Sequence, residues 1–244
     1  MHLATVGKKI LGDIYTPVGI YLRLRDRFRD TILLESTDHH AHENSYSFIC
    51  INEIGGIEVK NNDTIEYKLP GTDPEKLALD KKINVHQYLW DFMNKFNVEK
   101  LLDSQFQFAQ GLYGYTCFDA VSFFYIAIPS QTKEPLIPLI RYRLYQYVIA
   151  FNHFKDELII CENKIPGLAG DLQVIETLIR SKDVPVYPFS LVGNERSNMT
   201  NESYIEMVQK GIKRCLRGDV FQLVLSRQFE HSFSGDEFNV YSAL

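Results

Sequence analysis

The chain has 244 residues, of which 45% are hydrophobic and 23% charged, with a net charge of −5. That balance describes a folded soluble chain able to bury one large core or two modest ones, and argues against extensive disorder. Its scattered basic residues form no footprint for nucleic acid, and its longest apolar run is far short of the ~20 residues of a membrane helix.

From the N-terminus, with no secretory leader pattern, a short apolar lead reaches Thr16-Pro17. Arg23, Arg25, Arg27 and Arg29 then alternate with Leu24, Asp26 and Phe28, as on a solvated helix or strand face. Residues 32–35 and 45–53 read as strands, joined by a polar stretch. His39, His40 and His42 in that stretch lack the carboxylate or distant fourth ligand of a metal site and read as solvated loop. Residues 57–60 and 64–69 flank Asn61-Asn62-Asp63, a hairpin signal, while Gly55-Gly56 predicts a turn or bulge before it and 70–74 a loop.

The stripe Val85, Leu89, Phe92, Phe96 predicts a helix over 85–96, with Asn84 as cap. Residues 112–118 and 120–128 read as strands, and 140–151 and 157–162 as a strand pair joined by a turn. Leu172, Ile175 and Ile179 give the inner face of a helix over 170–181. Two prolines, Gly193 and a polar run mark 184–199 as a linker between an N-terminal domain, 1–183, and a segment 200–244. Strand runs with few helices and no regular βαβ alternation predict an α+β fold with antiparallel sheets. Cys50, Cys117, Cys161 and Cys215 show neither close pairing nor metal spacing, as expected of reduced thiols in a cytoplasmic protein.

Residues 200–229 are the most informative. Thr200 is a good N-cap, Glu202 suits the helix N-terminus, and Gly218 supplies a left-handed stop. Ile205, Val208, Ile212 and Cys215 form one apolar face between them. The period then becomes two, predicting a strand over 219–229 with Val220, Gln222, Val224 and Ser226 on one face. A glutamine among valines is costly to bury without a partner, so Gln222 is either satisfied by neighbouring backbone or functional.

The run SYIEMVQKGIKRCLRGDVFQLVLSRQF resembles a segment of the chorismate-utilising enzymes, most narrowly component I of anthranilate synthase. So do, in the same order, TPVGIYLRL, ILLES, SYSF, GLYGYTCFDAV and RLYQYVIAFNH. The resemblance implies a layered α+β sandwich of antiparallel sheets covered by helices, of which this sequence is the N-terminal half, truncated before the rest of the chorismate-binding core. It implies an enzyme that converts chorismate and ammonia to anthranilate and pyruvate, with Mg²⁺ held by glutamates beyond Leu244. Ammonia would come from a glutamine amidotransferase subunit, since no amidotransferase nucleophile motif is present and Cys117 fits none. The isolated chain is expected to be inactive.

Two sets of site residues follow from the resemblance. Relatives that use water carry lysine, a possible base, where this chain has Gln222; glutamine takes no proton but can orient ammonia. Leu34, Glu35 and Ser36, with Tyr46, Ser47 and Phe48, match the segment that binds tryptophan as feedback inhibitor, although Ser45 replaces a frequent arginine. A zwitterion there needs an ammonium acceptor, carboxylate donors and an apolar slot. Without the resemblance, Glu35-Ser36 is equally a strand ending in a turn. Gly111–Asp119 reads as fold support, with Phe118-Asp119 in place of the family's Tyr-Asp. Aminodeoxychorismate synthase component I, also with glutamine at that position, is the alternative within the family; a non-catalytic fragment that only binds tryptophan or the amidotransferase is the alternative outside it.

Overall fold

Residues 1–35, 45–80, 84–101, 103–124 and 135–244 are described by a computed structural model, and they divide into two units, Met1–Pro185 and Val186–Leu244. The first unit has strands β1 (His2–Leu11), β2 (Ile32–Leu34), β3 (Tyr46–Val59), β4 (Thr64–Lys68), β5 (Glu75–Ala78), β6 (Asn97–Val98), β7 (Tyr113–Thr116), β8 (Ile140–Asn152) and β9 (Glu157–Lys164). Its α-helices are α1 (Pro17–Leu24), α2 (Val85–Met93) and α3 (Leu172–Ile179). The nine strands form one sheet in the order β5-β4-β3-β8-β9-β1-β6, with β2 paired to β3 and β7 to β8. Every pairing is antiparallel except β1 with β6. The fold is thus α+β, as the element pattern predicts.

The sheet's centre is the pair β3 and β8, whose Val, Ile, Phe and Tyr content suits a pleated surface buried on both faces. On one face Ile49, Ile51, Ile149, Leu158 and Ile160 pack against Ile20 and Leu24 of α1 and Ile175 and Ile179 of α3. On the other, Cys50, Val148, Ala150 and Cys161 pack under Phe106, Phe108 and Ala109 of a 3₁₀ turn. Helix α2 covers a third cluster, Ile57, Val59, Ile65 and Ile140, through Val85 and Phe92. Thr16 caps α1, its hydroxyl accepting from the Gly19 amide at 3.0 Å, and Asp171 caps α3 in the same way at 2.8 Å. Asn84 precedes α2 as expected, but its side chain makes no capping bond.

Three expectations are corrected. Residues 118–123 form a 3₁₀ turn, not the start of a strand, and the rest of that predicted strand lies outside the described residues. The expected linker carries β10 (Phe189–Ser197), which pairs with β11 (Phe229–Gly235). The strand predicted over 219–229 is absent: helix α4 (Asn201–Leu216) ends as read, at Gly218 with φ +79°, and residues 222–228 have no regular structure before β11. A short helix, α5 (Phe238–Ala243), follows. Among the described residues no helix is long and apolar enough to cross a membrane.

Candidate functional site

Register decides which of the expected tryptophan-site residues can meet. Leu34 lies opposite Phe48 across the β2–β3 pair, and Leu33 opposite Ile49. Directly opposed residues share a face and alternate residues along a strand return to it. Leu34, Tyr46 and Phe48 therefore share the face beneath the 3₁₀ turn, while Ser47 points to the other. Leu34 and Glu35 are exposed, Tyr46 and Phe48 half-buried, and Ser47 fully buried. Ser36 lies outside the described residues, as do His39, His40 and His42. The structure thus puts Leu34, Tyr46 and Phe48 on one face and Ser47 on the other.

The aromatic part of the Leu34 face is already packed. The Phe48 ring stands 5.5 Å from Phe108 and 5.6 Å from Tyr113, both tilted, and 6.0 Å from Tyr46. Such tilted contacts are favourable for rings with opposed edge and face charges. Phe48 is therefore a floor rather than an open slot, and Leu34 with Glu35 forms the accessible edge. Burial pushes the Tyr113 phenol far above its usual range, and its hydroxyl donates to the Phe108 carbonyl at 2.8 Å. The Cys161 thiol is pushed up to about 12 by burial, and Cys50 is raised by the same cause, so neither is a nucleophile here.

Sequence reasoning missed what holds the site strand. The turn after β8 grips the start of β3 through three bonds: the His153 amide donates to the Ser45 carbonyl at 3.0 Å, the His153 Nε2 meets the Ser47 hydroxyl at 2.7 Å, and Asn152 Nδ2 donates to the Tyr46 hydroxyl at 2.9 Å. Asn152 Oδ1 also accepts from the Phe154 and Lys155 amides, each at 3.0 Å, closing the turn. The available signal was the polar pair Asn152-His153 ending a long apolar run. An asparagine at such a place commonly bonds its own turn.

Gln222 stands differently from its expectation. It lies in the segment without regular structure after α4 and is exposed, as are Phe221, Leu223 and Val224 around it. The predicted strand would have given it a fixed direction and a desolvated setting; here it has neither. Leu223 and Leu225 instead fold back on α4, close to where a side chain at Gly211 would stand, lining with Val208, Ile212 and Cys215 an open apolar groove. Among the described residues no group of three or more His, Cys, Asp or Glu is placed to hold a metal ion. The described residues therefore offer no donor set for the Mg²⁺ implied by the resemblance.

Comparison with known proteins adds a global constraint. A family model described as "chorismate binding enzyme" matches residues 30–244. Anthranilate synthase component 1 of Lactococcus lactis is 25% identical over 97% of this chain and 51% of its own length. The Aquifex aeolicus protein of that name is 27% identical over 97% and 49%. The crystal structure of anthranilate synthase component I from Streptococcus pneumoniae shares the fold with a TM-score of 0.52 at 20% identity, covering 97% of this chain and 52% of that one. The chain spans about half the length of the curated relatives it matches.

Proposed function

The chain belongs to the chorismate-binding enzyme family, and on that premise we propose that it is the N-terminal part of an anthranilate synthase component I. The observation that carries the reading is alignment with such synthases over nearly the whole chain. The complete enzyme would add ammonia to chorismate, lose the ring hydroxyl and eliminate pyruvate. Its setting would be the cytoplasm, beside a glutamine amidotransferase that supplies the ammonia.

The proposed division of labour follows the two units. Gln222 in the second unit would orient ammonia through its amide once its segment is ordered, since a carboxamide donates and accepts hydrogen bonds but takes no proton near pH 7. In the first unit, Leu34 and Glu35 with Ser36 would receive the feedback inhibitor tryptophan at the edge of β2. Tyr46 and Phe48 would form the floor beneath it. Ser47 would serve from behind, locking β3 to His153 rather than touching the amino acid. By itself the chain presents Gln222 to solvent, which supports a catalytically silent state.

The test is anthranilate fluorescence with chorismate, Mg²⁺ and ammonium. The chain alone gives no product; mixed with the second half of the Lactococcus lactis relative, it gives ammonium-dependent anthranilate. Product from the chain alone would overturn the proposed silence of the isolated half. A mixture that forms a complex yet makes no anthranilate would overturn the assignment.

A further inference from the structure

We propose that the first unit carries a second ligand site, at the Ile32 end of β2 and adjoining the proposed tryptophan edge at Leu34, that binds a small planar carboxylate between two arginines and a wall of tyrosines. The site is a cavity of about 210 Å³ lined by Asp30, Thr31, Ile32, Tyr113, Gly114, Tyr115, Arg141, Arg143 and Tyr145.

Register builds it. Tyr113 lies opposite Arg143 and Tyr115 opposite Arg141 across β7 and β8, so Tyr113, Tyr115, Arg141, Arg143 and Tyr145 all rise from one face. Two glycines matter here, Gly114 for the close approach of β7 to β8 and Gly56 for the room that Arg143 takes. A side chain on Gly114 would come within 1.8 Å of the Arg141 carbonyl oxygen, and one on Gly56 within 2.5 Å of the Arg143 side chain. Arg143 therefore lies flat across β3, 14% exposed, with Nη2 donating to Glu58 at 2.6 Å.

Each guanidinium has five N–H groups, and one of each donates to a carboxylate: Arg143 to Glu58, and Arg141 to Asp30 at 3.2 Å. The Nε of Arg141 also stands 3.6 Å from Glu58, which leaves the remaining Nη donors for a ligand. Arg143 Nε is buried 3.2 Å from Glu53 but makes no hydrogen bond. An incoming carboxylate would find two fixed guanidinium groups, the geometry that favours paired charge-assisted bonds.

Three carboxylates, Glu58, Glu53 and Asp30, compete with an incoming anion for the two guanidinium groups; Glu58 is the strongest, and the other two are weakened. Burial is the main reason the Glu53 carboxyl is raised, opposed by Arg143 and reinforced by a hydrogen bond with Asp30. Lys68 adds positive charge beside Glu53. Asp30 is 43% exposed at the rim, where solvent and salt weaken its repulsion. The three phenol rings provide the flat apolar walls that select a planar body over a simple ion.

Benzoate is the probe, titrated into the whole 244-residue chain and followed by amide chemical shifts. The expected result is saturable shifts centred on Thr31 and Gly114 with a Kd of about 1 mM, ordinary for a nine-atom ligand, and no such shifts with benzylamine. Arg141→Gln should weaken binding at least tenfold while leaving the spectrum dispersed. Tyr115→Leu, at an exposed rim position, gives a second readout of about threefold should the arginine variant unfold. Absence of saturable shifts at these amides, or equal affinity in a folded Arg141→Gln, overturns the site. Shifts centred on Leu34 and Phe48 instead would place benzoate at the proposed tryptophan edge and overturn it equally. Because the readout is located by residue, failure of this site leaves the tryptophan reading standing.

Discussion

The side chains that matter most to the β2–β3 edge are those that fix β3 rather than those that face outward. Asn152 serves three partners from one buried amide: it donates to Tyr46 and accepts from two turn amides. Removing a buried partner leaves polar groups unsatisfied at a cost of about 1–3 kcal/mol. Asn152→Ala should therefore lower stability by about 2 kcal/mol in urea unfolding, whereas Asn152→Asp, which keeps the acceptor, should lose less. At Gly114 the obstacle is backbone rather than a movable side chain. Gly114→Ala should cost about 1–3 kcal/mol or more through forced displacement of β7 from β8, measurable in the same way. Of the residues named by resemblance, Leu34, Tyr46 and Phe48 share a face, which the register of β2 on β3 sets. Ser47 was misdirected because a resemblance names positions but not the face each occupies, and His153 was invisible because its partner is 106 residues away.

Elements were readable wherever their own residues decide them. The β3–β4 and β8–β9 hairpins, the bulge between Glu53 and Gly55, and helices α3 and α4 all carry local turn or capping chemistry. Strands without such signals were not: β1 looked like an unremarkable lead, yet it pairs with β9 over eight residues. Conversely, the period-two run after Gly218 had the composition of a strand and no ladder partner, and a strand exists only by pairing. The tie between β1 and α3 yields a pH prediction. Lys8 donates to Glu176 at 2.6 Å and Arg180 at 2.9 Å. These bonds, Lys8 first, hold the Glu176 carboxyl below its ordinary value. The folded state then binds fewer protons than the unfolded one below the unfolded carboxylate range, so this stabilisation is present above that range and is lost as pH falls through the lowered value. Glu176→Gln should flatten the acid limb of the stability curve and leave slopes above pH 6 unchanged, as followed by unfolding midpoints from pH 3 to pH 7.

The two units differ most in how they are held. Among the described residues every buried hydrophobic cluster belongs to Met1–Pro185, whereas in Val186–Leu244 Gly211 alone is buried. Helix α4 exposes Ile205, Ile212 and Leu216, and Phe221 and Val224 follow it into solvent. Helices of this length draw most of their stability from packing an apolar face, so the second unit should show little protection. In hydrogen exchange, β3 and β8 amides should persist for the global unfolding time while amides of 201–235 exchange orders of magnitude faster. Comparable protection in both units would show that the second has a core of its own. That contrast also explains why Gln222 could be picked out by sequence yet not placed: its setting depends on packing that its own neighbours do not provide.

The most direct test is product formation by the reassembled synthase. With complex formation verified by size-exclusion chromatography, the chain plus the second half of the Lactococcus lactis relative should convert chorismate to anthranilate in an ammonium-dependent way. Gln222→Ala should cut that rate by about 10²-fold, the order expected for losing a positioning hydrogen-bond group. Ammonium-independent turnover, or an unchanged rate in Gln222→Ala, would contradict the account.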